Sequence, residues 1–110
     1  MIQKLSDVVS RIPDKPALLV ERNGKVLKWT WMEYYNETIS FAKALHAVGV
    51  TERKAINITG YNSPEWVISF LGSIANNCVV SGVYITNTAE ACIYQADHSD
   101  AEVIVVDSIE

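Results

Sequence analysis

The spacing of apolar and polar residues changes several times along the chain, and each change marks a predicted element. Leu5, Val8, Val9 and Ile12 recur at three- and four-residue intervals, which predicts a short helix over 5–12. Pro13 and Pro16 bracket a loop. Residues 17–21 and 26–29 read as strands joined through Asn23-Gly24, a dipeptide suited to a tight hairpin turn. Thr30 and Glu33 have capping-box spacing, so a helix is expected from there to about Val48. Its apolar stripe is Met32, Tyr35, Ile39, Ala42 and Leu45, widened by Phe41, Ala44 and Val48, and Gly49 supplies a left-handed stop.

From residue 55 the pattern becomes strand, helix, strand, helix, strand. Ile56 and Ile58 alternate through 55–59, after which Ser63 caps a helix with Pro64 at its first position and Glu65 in its first turn. That helix carries Trp66, Val67, Phe70, Leu71, Ile74 and Ala75, is apolar around most of its girth, and stops at Asn76-Asn77. Residues 78–85 form a β-branched strand in which Gly82 marks a bulge or a close backbone approach. Thr86-Asn87-Thr88 caps a helix from Ala89 to about His98 whose inward face is Ala89, Cys92, Ile93 and Ala96. Residues 102–107 are a near-continuous apolar run of the kind found in a central parallel strand buried on both faces. Crossovers between parallel strands are almost always right-handed, so the predicted fold is α/β. A hairpin and a long helix (1–54) precede a βαβαβ parallel-sheet unit (55–110). A sheet whose last strand is its most apolar reads as lacking neighbours, and the chain is expected to be a piece of a larger domain.

Composition narrows the function classes. The chain has 110 residues, 49% hydrophobic and 20% charged, with a formal net charge of −4 and no lysine or arginine beyond Lys54. Nucleic-acid binding needs a concentrated positive surface, and none is encoded. Cys78 and Cys92 lack metal-ligand or redox spacing and read as buried, reduced thiols, which suits a cytoplasmic protein. The first residues lack a signal-peptide core. No apolar run approaches the ~18–20 residues of a spanning helix.

Several segments taken in series resemble the N-terminal region of adenylate-forming acyl-CoA synthetases, most closely the long-chain and very-long-chain, bubblegum-type fatty acid ligases. They are Pro13-Asp14-Lys15-Pro16-Ala17-Leu18, Trp29-Thr30-Trp31-Met32-Glu33-Tyr34-Tyr35, and Ala42-Lys43-Ala44-Leu45 with Gly49-Val50. Asn62-Ser63-Pro64-Glu65-Trp66, Gly82-Val83-Tyr84-Ile85-Thr86, Glu90-Ala91-Cys92, His98-Ser99 and Val103-Ile104-Val105-Val106 complete the series. One departure is Ala75-Asn76-Asn77-Cys78, where the family has a small, glycine-rich turn.

The resemblance implies a two-step reaction. A fatty acid carboxylate attacks the α-phosphorus of ATP, releasing pyrophosphate, and the coenzyme A thiolate then displaces AMP. ATP, coenzyme A and Mg²⁺ are thus implied for the parent enzyme, with a fatty acid as substrate and the remainder of the parent chain as partner. The phosphate loop, the ribose aspartate and the mobile lysine of the family lie downstream, so this piece is expected to bind no cofactor and to be inactive by itself. It is also expected to self-associate, because a partial sheet leaves strand edges unpaired. The parent is placed in the cytoplasm, with peripheral membrane attachment left open.

Ligands of open α/β sheets gather beyond the carboxyl ends of the strands, which here are Gly60-Tyr61-Asn62 and Thr86-Asn87-Thr88. By resemblance, Thr86, Asn87 and Thr88 lie near the coenzyme A path. Their residue types are equally those of helix caps. His98 sits at a helix end and His46 on a polar face, both structural or solvated positions. Trp29, Trp31, Tyr34 and Tyr35 read as packing residues. Ser63 and Ser73 lack the setting of a nucleophile elbow. No catalytic or metal constellation is present. A competing reading is a small non-catalytic α/β module that binds a partner or nucleotide.

Overall fold

A computed structural model describes residues 1–108. The element order is α1 (Ile2–Arg11), β1 (Pro16–Arg22), β2 (Lys25–Thr30), α2 (Trp31–Ala47), β3 (Ala55–Thr59), α3 (Pro64–Ala75), β4 (Val79–Val83), α4 (Ala89–Ser99) and β5 (Ala101–Val105). Strands β1 and β2 form an antiparallel hairpin. Strands β3, β4 and β5 form a separate parallel sheet in the order β4-β3-β5. The α/β class, the hairpin and the βαβαβ unit match the sequence reading. The last two residues of the 55–110 unit lie outside the described residues.

The predicted caps are in place. Thr30 Oγ1 accepts from the Glu33 N–H at 3.2 Å, and Glu33 Oε2 accepts from the Thr30 N–H at 2.7 Å. The second bond, with the Thr30 hydroxyl, holds the Glu33 carboxyl below its usual range. Gly49 follows α2 with φ +89°, the left-handed conformation its position demands. In the Ala75–Cys78 turn Asn77 takes φ +56°, so an asparagine occupies the backbone state a glycine would otherwise supply. Asn76 Nδ2 donates to Val50 O at 3.2 Å and ties this turn to the end of the α2 loop.

Two apolar clusters share α3. Ile56 and Ile58, both fully buried, meet Leu45, Val50 and Cys78, with Trp66, Phe70, Val80 and Val105 packed around them. Full burial of an isoleucine stabilises by about 1.5–3 kcal/mol, so this pair anchors the sheet. On the other side of α3, Ile68 packs with Leu5 and Tyr34. A helix serving two clusters must be apolar nearly all round, as its sequence is.

Four expectations are corrected. The apolar run at 102–107 forms an edge strand over 101–105, and β3 is central. Ile104 is accordingly 52% exposed, whereas Asn57 in β3 is buried. The inward face of α2 is set by Tyr34, Thr38 and Leu45, while Met32 and Val48 are exposed. The cause is Gly72: a Cβ there would stand 2.8 Å from both Thr38 O and Phe41 Cδ1, so α2 and α3 cross at a distance only glycine permits. Helix α4 buries no residue, with Ala89 and Ile93 exposed and Cys92 only half-buried. It rests on the sheet through Ser99, whose hydroxyl donates to Asn57 Oδ1 at 3.1 Å. Finally, β4 carries no bulge at Gly82, which pairs in register with Ile58 beneath Trp66.

Candidate functional site

A cavity of about 470 Å³ opens beyond the carboxyl ends of β3 and β5, walled on one side by the end of β1. The loop after β3 builds its floor. Gly60 has φ +152° there, and a Cβ would approach Asp107 Cβ to 3.1 Å. Ser63 Oγ then accepts from the Trp66 N–H at 3.2 Å and starts α3. This start places Glu65 opposite Arg22 at the end of β1. The guanidinium donates from Nη1 to Glu65 Oε1 at 2.8 Å and from Nη2 to Oε2 at 2.5 Å, a fork-to-fork pair. Hydrogen bonding from Arg22 holds the Glu65 carboxyl below its usual range, against the opposing effect of partial burial. Arg22 is raised in turn, first by Glu65 and more weakly by Asp107.

A second groove of about 430 Å³ adjoins the first across Gly60, Tyr61, Asn62 and Trp66, and runs along residues 82–85. Tyr61 and Tyr84 stand exposed on its rim, and Trp66 stacks on Phe70 with ring centroids 5.5 Å apart. The surface at the strand ends is therefore aromatic and apolar on the β4 side, and ionic on the β1 side.

The AMP-binding enzyme family matches residues 5–110. The chain belongs to that family. It is 34% identical over 102 residues to the long-chain-fatty-acid–CoA ligase ACSBG2 of Gallus gallus, a match covering 93% of this chain and 13% of that protein. It is 32% identical over 106 residues to the ligase ACSBG1 of Rattus norvegicus, covering 96% of this chain and 15% of that protein. The chain thus spans about a seventh of the curated relatives it matches. The fold is that of the N-terminal subdomain of Klebsiella oxytoca NpsA, with a TM-score of 0.86 at 18% identity over 100% of this chain and 28% of that one.

Among the described residues, those of the cleft do not fit a nucleoside triphosphate. The cleft's single cation among the described residues, Arg22, is committed to Glu65, and the other ionisable groups facing the space include Glu21 and Asp107. Phosphate oxygens here would meet the carboxylates of Glu21 and Asp107, with only neutral donors such as Thr59, Tyr61 and Asn62 to offset them. Nor do three or more His, Cys, Asp or Glu side chains converge as a metal site among the described residues. None of the described helices is long and apolar enough to cross a membrane.

Thr86, Asn87 and Thr88 lie before α4 and line neither of the two cavities. Thr88 Oγ1 accepts from the Ala91 N–H at 3.2 Å, and Asn87 Nδ2 donates to Gln95 Oε1 at 3.0 Å. Thr86 is exposed. The other residues weighed from sequence remain apart. His98 is exposed and stacks on Tyr94 with centroids 5.6 Å apart, and His46 is exposed on α2. Ser73 Oγ donates to Ser69 O within α3. Trp29 Nε1 donates to Glu37, while Trp31, Tyr34 and Tyr35 pack beside Leu5 and Ile68.

Sequence reasoning missed Arg22, which carries no local signal. It also missed the partnership of Asn57 with Ser99. A polar residue between two isoleucines in a buried strand was the available sign, because such a group needs a partner.

Proposed function

We propose that this chain is part of the AMP-binding domain of an ATP-dependent long-chain fatty acid–CoA ligase, and that it contributes scaffold rather than reacting groups. The observation that carries the reading is the 34% identity to such a ligase across 93% of the chain, within a match spanning only 13% of the ligase. In the whole enzyme the fatty acid carboxylate would attack the α-phosphorus of ATP with loss of pyrophosphate. Coenzyme A sulfur would then attack the acyl carbon with loss of AMP, in the cytoplasm and with Mg²⁺ present. Residues 1–54 serve as the helix, hairpin and long-helix support of this domain, and 55–110 as its first parallel-sheet unit.

The groups for phosphate neutralisation come from the remainder of the parent chain, since Arg22 is already paired. Alone, the piece is inactive and self-associates. Thr86, Asn87 and Thr88 border the coenzyme A path, where the α4 N-terminus would present backbone donors to a phosphate.

The experiment is a chimera. This chain replaces the matching 102 residues of the Gallus gallus ligase, and acyl-CoA formation from palmitate, ATP and coenzyme A is measured. Retained fatty-acid-dependent product supports the reading. A folded chimera that binds neither substrate nor ATP contradicts it.

A further inference from the structure

Asparagine is a labile residue, because the main-chain nitrogen of the next residue can attack its side-chain amide carbon. Seven asparagines occur in the chain, and six have that nitrogen hindered or committed. Asn36 lies within α2, and Asn57 is buried in β3. The nitrogens after Asn76 and Asn77 donate to Ile74 O and Ser73 O, each at 3.0 Å. Asn87 is held by Gln95 Oε1, and the nitrogen after Asn62 belongs to Ser63, which is fixed as the cap of α3. Asn23 differs. It is exposed at the hairpin tip and precedes Gly24, whose N–H has no main-chain acceptor among the described residues. A Cβ at Gly24 would meet nothing within 4 Å, so the space around that nitrogen is open.

The reaction balances with water alone. The Gly24 nitrogen gives its proton to solvent base and bonds to Asn23 Cγ, and the Cγ–Nδ2 bond breaks with release of ammonia. Water then opens the five-membered imide. Opening at Cγ gives aspartate. Opening at the Asn23 main-chain carbonyl gives isoaspartate, in which the chain runs through Cβ and Cγ. Asn23 and Gly24 have φ of +52° and +72°, the positive pair of a two-residue turn closed by Arg22 opposite Lys25. Ring closure distorts such a turn, so it proceeds when the hairpin end opens. A two-stranded hairpin is marginal by itself. Beyond its strand pairing, this end is tied to α3 through Arg22 on Glu65.

We infer that Asn23 is a self-modification site, converting to aspartate and isoaspartate through an imide with Gly24 at a rate governed by the Arg22–Glu65 pair. The product weakens that pair in turn. Isoaspartate adds a main-chain carbon to a turn that closes over two residues, so Arg22 loses its register with Lys25. The new carboxylate also arises beside Arg22 and competes with Glu65 for the guanidinium. The hairpin end is thereby released from α3 as the protein ages. None of these contacts depends on the ligase reading, whose failure would appear in the chimera and leave this conversion unchanged.

Mass spectrometry of the folded 110-residue chain, held for days in neutral buffer, tests the inference. Cleavage after glutamate places Asn23 in fragment 22–33 and Asn62 in fragment 53–65. Fragment 22–33 is expected to show the mass gain of an NH-to-O exchange before any other, with isoaspartate in the product. Glu65→Gln, its fold checked by circular dichroism, is expected to convert about twofold faster. Wild type in about 1 M salt should do the same, which keeps the test intact if the variant fails to fold. Amide exchange over residues 20–27 is expected to quicken as conversion proceeds. An unchanged mass of fragment 22–33 overturns the inference. So does earlier conversion at Asn62, an equal rate with the pair intact and broken, or exchange that stays constant in fully converted protein.

Discussion

Arg22 and Glu65 stand 43 residues apart in sequence, yet they meet through two nearly parallel N–H···O bonds of 2.8 and 2.5 Å. This pair joins the hairpin to the first turn of α3, although the hairpin shares no strand pairing with the parallel sheet. The relationship also leaves the cleft without a free cation among the described residues. An arginine at a strand end would suit an anionic ligand, but here its fork is already filled.

Glu65 makes stability pH-dependent with a definite sign. Its folded pKa lies below the ordinary 4.5, so its contribution is present above that value and is lost as pH falls through the folded one. Thermal melts of wild type should therefore fall more steeply below about pH 4.5 than those of Glu65→Gln. Both partners are well exposed, so the difference at neutral pH is small and shrinks further in 1 M salt. Identical pH profiles for the two proteins would count against the pairing.

Gly72→Ala should destabilise by about 1–3 kcal/mol, because the new methyl group meets a backbone carbonyl that cannot rotate away. That cost outweighs the helix-propensity gain of about 1 kcal/mol. Gly82→Ala meets only Trp66, at ordinary contact distance, and is expected to be much milder. Urea unfolding of both variants checks the contrast.

Removing the Ser99 hydroxyl leaves Asn57 Oδ1 without its donor, on a side chain whose Nδ2 already lacks an acceptor among the described residues. Ser99→Ala should cost about 1–3 kcal/mol. It should also speed amide exchange across α4 more than across α3, since α4 buries no residue of its own. Uniform exchange across both helices would show that α4 is held by something else.

In the intact parent enzyme, joint exchange of Thr86 and Asn87 for alanine should raise the KM for coenzyme A while leaving that for fatty acid unchanged. An unchanged coenzyme A KM would return both residues to structural roles.

Local signals in the sequence were read reliably because they act over three or four residues. The Thr30–Glu33 box, the Ser63 and Thr88 caps and the Asn23-Gly24 turn each form as their chemistry dictates. Strand order was less legible. The run Val103-Ile104-Val105-Val106 carries more apolar surface than Ala55-Ile56-Asn57-Ile58-Thr59, yet the latter is central. Apolarity reports how much a strand can bury, and crossover geometry decides which neighbours it receives. Asn57 disguised β3 further, since its partner Ser99 lies 42 residues away. The phase of α2 was hidden similarly, because Gly72 on another helix selects Thr38 and Phe41 as the contact face. In the candidate site, Glu65 was legible as a first-turn residue and Arg22 was not.

The proposed role of this chain is that of scaffold within a fatty acid–CoA ligase. Pyrophosphate release with ATP, Mg²⁺ and palmitate tests it most directly, run side by side on the 110-residue chain and on the chimera that carries it. Blank-level release is expected from the chain and palmitate-dependent release from the chimera. Release above blank from the chain alone, or none from a folded chimera, would contradict it.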